Sequence, residues 1–334
     1  MSAAPASATG GAIIRVSIVG LGAIGREVVK AVLARRGLEL VSAADPAFVG
    51  RDAGEVSGAE KIGVAVAARA EEAFAGSGAD VALVLTGSGV ADVAPVIEAA
   101  AAAGIDVVST CEDLAYADLS APELARRLDS RARAAGITVL GTGVNPGFVM
   151  DRLPLTLAAA CVRVDAVRVE RVVDAAKRRG PLRAKVGADL SADEFQAGVD
   201  AGRLGHRGLP ESCALVGLGL GLRFDDVRAT IGPVVTSAAE PRAGIVPGRV
   251  AGLRQTAVGL RDGRELVRLD LEMSVDAPDP HDRVVIEGDP PLDVLVRGGT
   301  HGDRGTVGTA LSAIPAVVAA APGLKTVLDL ALLG

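Results

Sequence analysis

Between residues 13 and 143 the chain alternates short, continuously apolar runs with longer stretches of helical spacing. The segments 13–20 (IIRVSIVG), 38–45 (LELVSAAD), 80–87 (DVALVLTG), 105–110 (IDVVST) and 137–143 (ITVLGTG) read as buried strands. Between them, 25–36, 90–104 and 122–136 carry apolar residues at helical intervals, and the last two stop at a glycine. Strands alternating with helices predict parallel βαβ units in a doubly wound sheet, an α/β fold. After Asn145 the rhythm changes. Residues 164–175 alternate as a half-buried strand does, and 191–202 read as a helix opened by a capping box of Ser191 and Glu194. The stretches 263–277 and 282–299 read as antiparallel strands, so a second, α+β domain is expected. Residues 305–330 return to helix and are apolar enough to pack against the first domain.

Composition narrows the function. A chain of 334 residues is long enough for two domains, and its formal charge of −6 argues against a nucleic-acid partner. There is no Trp, one Tyr and five Phe, so any pocket is walled mainly by aliphatic groups. The cysteines Cys111, Cys161 and Cys213 are widely spaced and the histidines scattered, which indicates neither a disulfide framework nor a metal site. A reduced, cytoplasmic setting fits, and no apolar run of membrane-spanning length is free of Gly, Pro or charge. Residues 1–12 read as a flexible tail.

The candidate chemistry gathers at the strand ends. GLGAIG, residues 20–25, lies between a strand and a helix and matches the dinucleotide fingerprint of the Rossmann fold. Gly20 allows the tight turn, Gly22 admits a pyrophosphate and Gly25 permits close helix packing, with Ala23 and Ile24 on the same edge. Asp45 closes the second strand, where an acid binds adenosine ribose hydroxyls and favours NADH over NADPH; a turn role before Pro46 is the competing reading. Arg51 follows on a loop and is placed to reach a 2′-phosphate. Thr86 and Gly87 leave the third strand and Thr110 the fourth. Thr142 and Asn145 leave the fifth in GTGVNPGF, either to hold the nicotinamide carboxamide or as part of an ordinary Asn-Pro-Gly turn. Glu112, just past the fourth strand, is either the start of a helix or a carboxylate beside the nicotinamide, suited to acid–base work. Asp113 is its rival.

The strings GLGAIGREV, STCEDL, GTGVNPGFVMDRLP, RVVDAAKRRGPLRAKVGADLSADEF, GHRGLPES and GDPPL…VRGGTHGDRGTVGTALSAIPAVVAAAPGLKTVLDL together resemble the 2,4-diaminopentanoate dehydrogenases and the native NAD(P)-dependent amine dehydrogenases. The resemblance runs from Ile13 onward. It implies a dinucleotide-binding domain over 13–146 with 300–334, and a substrate-binding and dimerisation domain over 147–299. It also implies reductive amination of a small ketone or aldehyde with ammonia, NAD or NADP as cofactor, a homodimer, and Glu112 as the catalytic carboxylate. Phe148, Arg171, Val173, Leu182 and His206 are candidate pocket walls, and Arg171, Arg183 and Lys185 candidate cations for a substrate carboxylate. Dihydrodipicolinate reductase has a similar overall plan, but its His-rich motif with a following Lys is absent. An imine reductase and a non-catalytic NAD-sensing protein are the remaining alternatives.

Overall fold

The computed structural model describes residues 12–176, 184–237, 242 and 244–331. All of the expected tail but Ala12, and the expected pocket residues Leu182 and Arg183, lie outside the described residues.

The apolar runs form β1 (Ile14–Val19), β2 (Leu38–Ala44), β4 (Val81–Val84), β5 (Asp106–Ser109) and β6 (Thr138–Gly141), with a short β3 (Val66–Ala67) after β2. They pair in parallel. Their continuous apolarity has a plain cause, since both faces are covered. On one face Val16, Ile18, Leu83, Val108 and Leu140 meet Val28, Val29 and Val32 of the helix Ala23–Ala34. On the other, Ala82, Val84, Val107 and Val139 meet Val93 and Ile97 of Val90–Ala103 and Leu128 of Pro122–Ala135. Strand β1 lies between β2 and β4, so the order reverses there and a crevice opens at the strands' C-terminal ends.

The second sheet holds β7 (Arg163–Asp174), β8 (Asp226–Val235), β9 (Val250–Arg261), β10 (Arg264–Ser274), β11 (His281–Asp289) and β12 (Leu292–Arg297), in the order β12-β11-β7-β10-β9-β8. Both stretches expected as antiparallel strands are extended, but β10 and β11 are not neighbours. Strand β7 separates them, parallel to β10 and antiparallel to β11. The stretch 282–299 is itself a hairpin, broken at Pro290 and Pro291, which have no N–H to continue a ladder. Alternation reveals which face a residue takes; it carries no information about which strand lies beside it. One face packs on the helices Arg152–Ala158 and Leu209–Gly219 through Val167, Val169, Leu269, Ala257, Leu209, Cys213 and Val216. The other carries Arg168, Glu170, Arg268 and Asp270. The capping box forms: Ser191 Oγ accepts the Glu194 N–H at 3.2 Å and Glu194 Oε2 accepts the Ser191 N–H at 2.7 Å.

The chain then returns to the first sheet. The helix Gly302–Val318 buries Ala310, Leu311, Ile314 and Val317 in its core, and β13 (Gly323–Lys325) pairs with β6 at the sheet's edge. The single helical stretch expected over 305–330 is therefore a helix followed by a strand. Pro322 and Gly323, at φ +128°, stop helical continuation. Among the described residues no helix is long and apolar enough to cross a membrane.

Candidate active site

A cavity of about 410 Å³ lies where the crevice of the parallel sheet meets the second sheet. The first sheet contributes Ile24, Leu85, Thr86, Gly87, Ser88, Thr110 and Glu112, and the second Arg171, Val173, Leu253, Leu271 and Met273.

The glycine turn is built as its spacing predicts. Gly20 stands at φ +97°, and a Cβ there would come within 2.9 Å of the Leu85 oxygen. A Cβ on Gly25 would strike the Gly20 carbonyl, whereas one on Gly22 would meet nothing within 4 Å. Gly20, Gly22, Ala23 and Gly25 shape the turn without lining the cavity; Ile24 does line it. Asp45 stands against this turn. Its Oδ2 accepts the Leu21 N–H at 2.7 Å and its Oδ1 the Ala47 N–H at 2.9 Å. Asp45 thus makes a turn beside the glycine loop without lining the cavity, and each oxygen keeps acceptor capacity. The Arg51 guanidinium lies 5.6 Å from the centre of the Phe48 ring, outside the cavity.

Asn145 lines the cavity and is buried, yet neither its Oδ1 nor its Nδ2 has a hydrogen-bond partner among the described residues. An orphaned buried amide is costly, and this one offers a donor and an acceptor side by side, the complement of another carboxamide. Thr142 does not line the cavity. Its hydroxyl is buried behind Gly147, where a Cβ would lie 2.6 Å from Thr142 Oγ1. The turn is pinned from below by fully buried Asp151, whose Oδ2 accepts the Gly147 N–H and the Ser212 hydroxyl, both at 2.8 Å. Burial pushes the Asp151 carboxyl up, against these bonds.

Glu112 and Asp113 have parted roles. Asp113 begins the short 3₁₀ turn Asp113–Tyr116 and ion-pairs with Arg207 at 2.9 Å. Burial pushes its carboxyl up and Arg207 offsets part of this. Glu112 precedes the turn, but its side chain caps nothing and lines the cavity. The segment is strapped to the loop after β4: the Cys111 thiol and the Asp113 N–H both donate to the Ser88 carbonyl, at 3.0 and 3.1 Å. Burial pushes that thiol up to about 12.

The second sheet presents two transverse rows. Val173, Met273 and Leu253 form one; Arg171, Leu271 and Gln255 form the other. Arg171 is held by Asp282 across the strand pair at 2.7 Å, with both side chains buried, and its Nη2 donates to the Thr300 carbonyl at 2.8 Å. Asp282 engages its charge, which removes Arg171 from the cations free to meet a substrate carboxylate. Lys185 lines the cavity. So does His206, on a loop whose Gly208, at φ +87°, lies against the Pro146 ring and 3.2 Å, by its built Cβ, from the Glu112 Cβ. Phe148 is a correction: it packs with the core under the second sheet and does not reach the cavity, because Gly147 turns the chain before it. The sequence reading missed Leu253, Leu271 and Met273, though each shares the face of a strand that alternates. It also missed Gly302, Asp303 and Thr306, which enter only because the last helix returns.

Comparison with known proteins gives a consistent picture. The family model described as the 2,4-diaminopentanoate dehydrogenase C-terminal domain matches residues 148–333. The model described as the dihydrodipicolinate reductase N-terminus matches residues 14–113. The chain is 29% identical to the 2,4-diaminopentanoate dehydrogenase of Acetoanaerobium sticklandii over 231 residues, 67% of this chain and 65% of that one. The match therefore spans a little less than two thirds of that relative. An amine dehydrogenase of Streptomyces virginiae is 27% identical over 96% of this chain and 97% of its own. The solved amine dehydrogenase of Mycobacterium smegmatis superimposes with a TM-score of 0.82 at 25% identity, covering 95% of this chain and 96% of that one.

Proposed function

The chain belongs to the family of the 2,4-diaminopentanoate dehydrogenase C-terminal domain, and from that premise we propose that it is a nicotinamide-dependent amine dehydrogenase, an oxidoreductase acting on the CH–NH2 group, that joins a small ketone or aldehyde to ammonia. The observation that carries this reading is a carboxylate, Glu112, in one cavity with the orphaned amide of Asn145. In this reading residues 13–146 with 300–334 serve the cofactor and 147–299 the substrate and a homodimer contact. The glycine turn receives the pyrophosphate, Asp45 the ribose hydroxyls and Asn145 the carboxamide. Asp45 favours NADH, since a 2′-phosphate would meet like charge.

When bound, the nicotinamide supplies the hydride that reduces the iminium carbon. The protein handles the protons. Glu112 takes one from ammonium, leaving ammonia free to add to the carbonyl carbon. The protonated carboxyl then returns that proton to the carbinolamine hydroxyl, which leaves as water. The carboxylate so restored stands opposite the iminium cation and stabilises it. Val173, Leu253, Leu271 and Met273 suit a short aliphatic ketone. The second reading, a diamino acid substrate, rests on Lys185, a cavity cation that has no ion-pair partner among the described residues.

The experiment follows NADH and NADPH oxidation with small ketones, with and without ammonium. Ammonium-dependent oxidation is expected, and equal rates without it would point to an imine reductase. Glu112→Gln should lower kcat at least ~10²-fold while NADH still protects against thermal unfolding. Asp113→Asn should keep most activity. The reverse result would exchange the two roles.

A further inference from the structure

We propose that His206 is a second holder of ammonium, its Nε2 lone pair and the Glu112 carboxylate together accepting N–H bonds from the ion and, in the reverse direction, from the substrate amine. The inference rests on the amine dehydrogenase reading and adds a residue to it. It begins with the ring's tautomer. His206 Nδ1 is hydrogen-bonded to the Arg207 carbonyl. A carbonyl only accepts, so Nδ1 carries the hydrogen, and in the neutral ring Nε2 is a bare acceptor. No group among the described residues pairs with that Nε2.

The ring is also held in place. Gln255 grips the residue's backbone at both ends: the His206 N–H donates to Oε1 at 3.1 Å, and Nε2 of the Gln donates to the His206 carbonyl at 2.9 Å. Gln255 belongs to the same transverse row as Arg171 and Leu271. Two residues on, Gly208 lies against the Glu112 Cβ. The loop is thus bonded to the substrate sheet at one end and packed beside the Glu112 Cβ at the other.

The surroundings favour the neutral ring. Burial lowers its proton affinity, Glu112 raises it, and Lys185 and Arg171 lower it again. Arg207, the neighbour in sequence, is turned onto Asp113. Ammonium is a donor at every vertex and an acceptor at none. A site for it needs acceptors only, and this wall of the cavity supplies two of different chemistry: a charged oxygen pair and a directed nitrogen lone pair.

The test measures the Michaelis constant for ammonium separately from that for ketone. His206→Phe keeps a ring and removes the lone pair; His206→Gln restores an acceptor oxygen. The Phe variant should raise the ammonium KM about tenfold or more, the scale of one hydrogen bond to a charged group. Its ammonium KM should rise by a larger factor than its ketone KM, and the Gln variant should recover part of the loss. As pH falls below the ordinary imidazole range, about 6.5, the parent's ammonium KM should climb as Nε2 gains a proton, while the Phe variant's stays flat. Retained protection by NADH shows that the variants are folded. An unchanged ammonium KM with a raised ketone KM would make His206 a wall only and overturn the proposal. A parent that reduces a preformed cyclic imine but shows no ammonium dependence would overturn the amine dehydrogenase reading, and the ammonium site with it.

Discussion

Glu211 is a buried acid for which the proton transfers have no use. It sits on the helix Leu209–Gly219 near Asp113 and Arg207, and burial first, with Asp113 adding to it, pushes its carboxyl up to about 6. A carboxyl whose folded value exceeds its unfolded one, 4.5, costs the fold nothing below the unfolded value. That advantage is lost as pH rises through about 6, so the charged form is a burden at neutral pH. A rise of that size corresponds to about 2 kcal/mol. Glu211→Gln should therefore be more stable than the parent above pH 6 and equal to it below pH 4.5, which urea unfolding across that range can check. A constant difference at every pH would mean that the charge is not responsible. Glu112 was legible in the sequence by its place after a strand; Glu211 was not. It lies in the stretch GHRGLPES, to which no periodicity assigns an element, and burial cannot be seen in a side chain whose helix was not anticipated.

At the scale of elements, what was readable was periodic or carried a fixed turn. The strands of the first sheet, the glycine turn and the capping box each declare themselves within a few residues. The helix Leu209–Gly219 does not. Leu209, Cys213, Leu215, Val216 and Gly217 are all buried, so it has no polar stripe to mark its period. Strand β13 is too short to show one. Gly208 is where the first of these omissions meets the site. It begins that helix in the left-handed region, against the Pro146 ring and the base of Glu112. Gly208→Ala should cost more than ~1 kcal/mol from backbone strain alone. It should also lower kcat, because the added methyl can be accommodated only by moving Pro146 or Glu112. Thermal unfolding and turnover measured on the same preparation should fall together; a fall in stability without loss of kcat would show that the loop is not what aligns the carboxylate.

Over the whole molecule, two sheets face each other across one cavity, and the outer face of the second remains open. Arg168, Glu170, Arg268 and Asp270 lie on that face, with ion pairs from Arg168 to Glu287 at 3.1 Å and from Arg268 to Asp270 at 2.7 Å. Paired charges of this kind can be buried against a second copy at less cost than single ones. The proposed homodimer would use this face. Light scattering at micromolar concentration should give twice the mass of one chain, and Arg268→Glu should shift it toward one; a monomeric parent would refute the arrangement. The placing of β13 also has a consequence for how the protein is made. Strand β6 is finished at Gly141, but its outer neighbour ends at Lys325. During synthesis the ribosome must deliver nearly two hundred further residues before that edge can be closed. For this interval the nascent chain carries an open strand edge that invites pairing with other chains, and Gly323–Lys325 are the residues that end its exposure.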